Sequence, residues 1–173
     1  DVAVIEGNNG LYDGIDLEGS NSNAALAKLL EVPVLLVIDC AGMARGIAPL
    51  LIGYRAFDAD GRFAGVVLNN VANPRHEAKL RAAVERYTDM PVLGAIARSA
   101  DLHITERHLG LVPAEESGVA AAKLAAAGAI VEESLDLDAL VGSAPRSAAA
   151  DAPPPAPAAA RTADVRIAVA RDS

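Results

Sequence analysis

Short apolar runs rich in Val, Ile and Leu recur along the chain, and stretches with helical periodicity lie between them. Strands are expected at Val2 to Ile5, Val34 to Asp39, Gly65 to Asn69 and Pro91 to Ile96, because each run is bounded by Gly, Pro, Asn or Asp. Between the strands, Asn23 to Glu31 places Leu26, Leu29 and Leu30 on one helical face. Arg75 to Tyr87 does the same with Leu80, Val84 and Tyr87. Ala44 to Phe57 is a third helical stretch, interrupted by Gly46, Pro49 and Gly53. Strand, helix and strand in alternation predict βαβ units: an α/β fold whose parallel sheet carries helices on both faces. In such folds ligands gather at the carboxyl ends of the strands.

Composition narrows the function. Of the 173 residues 52% are hydrophobic, much of that alanine, and only 3% are aromatic, so the core must be built from Leu, Val and Ile. The apolar stretches Pro33 to Ile38 and Gly46 to Tyr54 fall far short of the roughly 18 to 20 residues a membrane span needs. No basic region followed by an apolar run opens the chain, so no secretory signal is read. The single Cys40 cannot form an internal disulfide and fits a reducing compartment, which points to the cytoplasm. A formal charge of −8 argues against nucleic acid, which needs a surface lined by Lys and Arg. If the substrate is a polycarboxylate, the charge that attracts it must be local.

The domain reading is a partial domain over 1–142, a linker over 143–163 and the first strand of another domain over 164–173. Glu132 to Val141 reads as a short closing helix. Ser143 to Ala163, dominated by Ala, Pro and Ser, has too little apolar surface to offset its ordering entropy. Asp1 to Ile5 reads as a strand already under way, and Val165 to Ala170 as one with nothing after it to pack on. The expectation is an internal piece of a longer protein. No oligomeric state can be read from these residues.

The segment richest in chemistry is Glu6-Gly-Asn-Asn-Gly-Leu-Tyr-Asp13-Gly14. A carboxylate directly after an apolar strand, glycines that let the backbone approach a ligand, and a second carboxylate make a compact acidic site at the strand's end. Such a pair could hold Mg²⁺; equally, the acids could be solvated residues of a Gly-rich loop. Arg45, Arg75 and His76 follow expected strands and could supply a cationic wall, although surface ion pairs explain them as well. Cys40 lacks the tight Gly turn of a nucleophile elbow and reads as a small buried apolar residue.

Glu-Gly-x-x-Gly-Leu-Tyr-Asp-Gly, followed by Ser22-Asn-Ala24 and Leu26-Ala-Lys28, resembles the hallmark of the cobyrinic and hydrogenobyrinic acid a,c-diamide synthases. Pro33 to Asp39, Gly65 to Asn69, Pro91 to Gly94 and Arg107-His-Leu-Gly-Leu111 continue the likeness in order. The likeness runs from Asp1 to about Glu116, and Arg166 to Asp172 resembles the opening strand of the family's glutaminase domain. The resemblance implies a P-loop-ATPase or dethiobiotin-synthetase-like fold, truncated at its N-terminus. It also implies ATP and Mg²⁺ as cofactors and a corrinoid polycarboxylate as substrate. Glutamine would supply ammonia through a domain beyond this sequence.

By position, the resemblance makes Glu6 the acid that helps bind Mg²⁺ beside the phosphates, and Asp13 the loop acid that contacts substrate and metal. It makes Asn69 the asparagine that hydrogen-bonds the adenine edge; propensity alone makes it a strand-end turn residue. Tyr12, Arg107 and His108 would lie near the substrate, although Arg107 and His108 alone read as a solvated basic pair. The family's reaction is activation of a carboxylate by ATP to an acyl phosphate, followed by displacement by ammonia. No G-x-x-x-x-G-K-[ST] occurs here, since Lys28, Lys79 and Lys123 all follow Ala, and no glutaminase nucleophile is present. These 173 residues alone are therefore expected to be inactive.

Asn9 stands where the family usually has Met, Asn70 where Arg is common, and Ala97 where Pro often precedes Arg98, which leaves the exact tetrapyrrole open. Cobyric acid synthase would not be expected to carry the Gly10 to Gly14 and Arg107 to Leu111 pair, and dethiobiotin synthetase lacks the linker and following strand. A nickel-sirohydrochlorin a,c-diamide synthase would use the same chemistry. A partitioning-type P-loop ATPase would instead associate with itself and bind no tetrapyrrole.

Overall fold

The computed structural model describes residues 2–99, 102 and 118–145. Among them three parallel strands lie in the order β1 (Val34–Asp39), β2 (Phe63–Val71) and β3 (Val92–Ala97). The crossovers are α2 (Ile47–Phe57), from β1 to β2, and α3 (Pro74–Tyr87), from β2 to β3. The shorter α1 (Asn23–Leu29) precedes β1, and α4 (Gly118–Ser134) and α5 (Leu137–Ser143) follow β3.

Each crossover helix begins for a local reason. In α3 the Asn73 side chain accepts from the His76 backbone N–H at 3.0 Å, and Pro74, at the first helical position, lacks an N–H the helix could not use. Pro49 falls in the first turn of α2, where it breaks no helical bond, so the helix starts at Ile47 instead of Ala44. The core forms where these helices meet the sheet: Leu36, Ile38, Val66 and Leu68 from the strands meet Ile47, Leu51, Leu80 and Val84 from α2 and α3. Fully burying one such side chain contributes about 1.5–3 kcal/mol.

Helices flank the sheet, unevenly. Val37, on the face of β1 away from this core, is 59% exposed. Next to β3 the chain is tied more tightly, because the Asp136 N–H donates to the Leu93 carbonyl at 2.7 Å and Leu135 bridges to Gly94. Gly94 is required there, since a Cβ on it would stand 2.5 Å from the Ser134 carbonyl oxygen. That tie splits the expected single helix over 132–141 into α4 and α5, and Asp136 caps α5 by accepting from the Ala139 N–H at 2.9 Å.

Other expectations are corrected. Val2 to Ile5 forms no strand: among the described residues the ladder runs through β1, β2 and β3, and Val2, Val4 and Ile5 are exposed, with no described element covering them. The Leu26, Leu29 and Leu30 face of α1 is also exposed; this seven-residue helix buries Ala24 instead. Leu80 and Val84 point inward as the periodicity predicts, whereas Tyr87, at the end of α3, is 41% exposed. Of the expected linker over 143–163, Ser143 closes α5, and 146–163 lie outside the described residues, as does the expected strand over 164–173.

Candidate functional site

At the carboxyl edge of the sheet, Asp39 closes β1 and Asn69 stands beside it on β2, in direct register. Asn70 has a left-handed φ of 58°, a conformation Asn tolerates better than most residues. From there its Nδ2 donates to Asp39 Oδ1 at 3.0 Å, and its N–H donates to Asn69 Oδ1 at 2.9 Å. The Ala41 N–H gives Asp39 Oδ1 a second donor at 2.9 Å. These donors, Ala41 first and then Asn70, with Arg98 behind them, hold the Asp39 carboxyl below its ordinary range. The edge is completed by Cys40 N–H to the Asn69 carbonyl at 2.8 Å and Arg98 N–H to the Val71 carbonyl at 2.9 Å.

Asp39 and Asn70 were not singled out as site residues from the sequence. The signal was present, since a carboxylate closing an apolar strand is the same pattern that drew attention to Glu6. Cys40 matches its bland reading: it is fully buried, its thiol sits 3.4 Å from the Ile38 carbonyl, and burial pushes the thiol up.

The Gly-rich loop lies before α1 and is pinned to it. Asn23 Nδ2 donates to the Asn9 carbonyl at 3.0 Å, and the Ala24 N–H donates to Leu11 at 2.9 Å. Glu6 and Asp13 are both exposed. The Asp13 N–H closes a turn onto the Gly10 carbonyl at 3.2 Å, which folds the Asp13 carboxylate over Gly10, where any Cβ would overlap it. Among the described residues no three His, Cys, Asp or Glu side chains gather as a metal cage. A lone accessible carboxylate on a Gly loop still suits Mg²⁺, which typically takes one or two protein carboxylates and completes its shell with phosphates and water.

Tyr12, between those acids, turns the other way. Its hydroxyl donates to the Tyr54 carbonyl at 2.9 Å, and its ring packs on Tyr54 at 5.6 Å and Phe57 at 4.8 Å. It lines a cavity of about 280 Å³ with Leu11, Lys28, Asp58, Arg62 and Phe63, at the start of β2 and away from Asn69. Burial, then the charge of Asp58, pushes the Tyr12 hydroxyl up to about 12. Because the folded value exceeds the unfolded one, stability is fully present below pH 10 and falls as pH rises from 10.0 towards 12. Tyr12→Phe should flatten that alkaline fall in a urea titration followed from pH 9 to 11.5; an unchanged slope would count against the packing described.

Of the proposed cationic wall, the Arg45 guanidinium stands 5.0 Å over the Tyr87 ring, and Arg75 is exposed. Arg107 and His108 lie outside the described residues. No described helix is long and apolar enough to cross a membrane.

A parallel α/β sheet with its polar groups gathered at the carboxyl edge is the architecture of P-loop-type nucleotide-binding domains, and residues 1–105 match the AAA domain family. Within that class, the chain belongs to the cobyrinate and hydrogenobyrinate a,c-diamide synthase family. It is 56% identical over 141 residues to the cobyrinate a,c-diamide synthase of Magnetococcus marinus, covering 82% of this chain and 30% of that protein. The hydrogenobyrinate a,c-diamide synthase of Streptomyces coelicolor is 49% identical over 144 residues, covering 82% of this chain and 29% of its own length. The cobyrinate a,c-diamide synthase of Listeria monocytogenes is 37% identical over 174 residues, covering 100% of this chain and 38% of its own length. The chain thus spans about a third of the curated relatives it matches. No solved structure matches it.

Proposed function

We propose that this chain supplies part of the synthetase site of an ATP- and glutamine-dependent corrinoid a,c-diamide synthase, a carbon–nitrogen ligase that amidates the a and c side-chain carboxylates. The observation that carries this reading is the 56% identity to a cobyrinate a,c-diamide synthase over 141 residues.

A carboxylate and ammonia form a salt at neutral pH, so amide formation needs an activated acyl group. Bound Mg·ATP would supply the phosphoryl group that makes the substrate carboxylate an acyl phosphate. In this reading Glu6 would hold Mg²⁺, and the Asp13 carboxylate, set by its turn over Gly10, would orient substrate and metal. Asn69 keeps its amide orientation because the Asn70 N–H claims Oδ1, which leaves Nδ2 to donate to the adenine edge. Arg107 and His108 are assigned to the substrate side by resemblance. Tyr12 is assigned likewise, its ring packed and its phenol already bonded to Tyr54. Ammonia from glutamine would displace phosphate in the second step. The one cysteine of this sequence, free and buried, is in keeping with a reducing compartment such as the cytoplasm.

The test uses the full-length protein with ATP, Mg²⁺ and either glutamine or ammonia, offered cobyrinic acid, hydrogenobyrinic acid or nickel-sirohydrochlorin in turn. The expected result is stepwise conversion of two carboxylates to amides with one ADP released per amide. Nucleotide-dependent self-association without amidation of any tetrapyrrole would favour a partitioning-type ATPase and overturn the reading.

A further inference from the structure

Two loops leave neighbouring strands at the carboxyl edge, 40–46 after β1 and 72–73 after β2, and one side chain joins them. His76, half-buried in the first turn of α3, accepts the Ala72 N–H on Nδ1 at 3.1 Å, while its Nε2 meets the Met43 carbonyl. The partners fix the tautomer. A backbone N–H can only donate, so Nδ1 carries no proton; a carbonyl can only accept, so Nε2 carries it. The neutral ring is therefore a strap with one polar contact at each end, and it is not the free cation that its place after a strand suggests.

Loop 40–46 is held at its ends by Cys40 on Asn69 and Arg45 over Tyr87, and Met43 packs against the core. At its middle the His76 ring makes the hydrogen bond that fixes the backbone. Gly42 has a φ of +69° with open space where a side chain would be, and the Met43 N–H reaches back only to Cys40 at 3.0 Å. The same loop begins with the residues that order the polar edge: Cys40 bonds to Asn69, and Ala41 to Asp39. We propose that His76 is a positioning residue: by tying Met43 to the turn after β2 it holds loop 40–46 as a fixed wall of the site formed by Asp39, Asn69 and Asn70. The proposal rests on the synthetase reading above, because it takes that edge, through Asn69, to be the one that seats the nucleotide.

The arms of the strap can be cut separately. Gln at position 76 can place its amide nitrogen near where the ring holds Nε2 and so keeps the Met43 arm. Asn places its oxygen near Nδ1 and keeps the Ala72 arm alone. In the full-length protein, His76→Gln should retain ammonia-dependent amidation close to wild type. His76→Asn and His76→Leu should lower kcat/KM by about ten- to a hundredfold, the range that misplacing a site wall produces. Glutamine hydrolysis and Tm should stay near wild type in all three.

Hydrogen exchange at the Ala72 amide reads the geometry without activity: protection should persist in His76→Asn and be lost in His76→Gln and His76→Leu. If His76→Asn is as active as His76→Gln, the histidine serves its own turn only, and the positioning role is overturned. Equal Ala72 exchange in all variants shows that the strap is not formed and overturns it equally. Failure of the wild-type protein to amidate any of the three tetrapyrroles overturns the synthetase reading and the positioning role with it, whatever the exchange shows.

Discussion

Replacing Glu6 by Gln in the full-length protein is expected to slow ammonia-dependent tetrapyrrole amidation by about 10²–10³, roughly 2.7–4 kcal/mol of transition-state stabilisation. The substitution preserves size, removes the charge and replaces one accepting oxygen by a donating NH₂. Glu6 is exposed on a loop whose backbone is set by other residues, Asn23 holding Asn9 and Ala24 holding Leu11, so the variant should fold normally. The loss should therefore appear in kcat, where charge builds on the transferring phosphoryl group, and not in Tm. Asp13→Asn should act on the same half-reaction. Glutamine hydrolysis, assigned to another domain, should proceed near its wild-type rate in both. Near wild-type amidation in both variants would make these acids solvated loop residues after all.

The strands were legible where buried runs have sharp ends. Pro33 and the Cys40-Ala-Gly stretch bracket β1, and its bounds agree with the sequence reading residue for residue. β2 runs further than expected in both directions: at its start Phe63 pairs with Val34 ahead of Gly65, and at its end Asn69-Asn70 reads as a turn, yet Asn70 takes the left-handed conformation and the ladder resumes at Val71 opposite Ala97. Val2 to Ile5 shows the opposite failure. Its residues have the composition of a strand, but a strand is a relation to a neighbour, and composition does not name the neighbour. α4 was missed because its Ala-rich run gives no apolar stripe for periodicity to find.

The site divides the same way. The Glu6 to Asp13 motif is contiguous, so its residue types could be read directly. The Asp39 and Asn70 pair joins positions 31 residues apart, and the His76 and Met43 contact 33, both across strand and helix connections. Such pairings exist only once the β1–β2 register is fixed, and no spacing rule along the chain announces them. His76 was visible as a titratable residue after a strand, but its neutral tautomer follows only from which backbone groups fold against it.

The helix that presents His76 is itself anchored by the core, and this gives the largest expected stability effect. Leu80, one turn further along α3, is fully buried among the strand and α2 residues, in a cluster that also holds Val66, Leu68 and Val84. Leu80→Ala removes its contacts and leaves a cavity that the strands on one side and the helix backbone on the other cannot easily close. The expected cost is about 2–5 kcal/mol. Tyr87→Ala, on the same helix but 41% exposed, loses the cation–π contacts with Arg45 and Arg86 and should cost less, about 1–2 kcal/mol. Urea unfolding of the two variants measures the difference, with the midpoint read at constant m. Because α3 also carries the Asn73 cap and the His76 strap, Leu80→Ala should additionally raise exchange at the Ala72 amide below the global transition. If Leu80→Ala costs no more than Tyr87→Ala, α3 does not pack on the sheet through this face, and the carboxyl edge is not held in the way described.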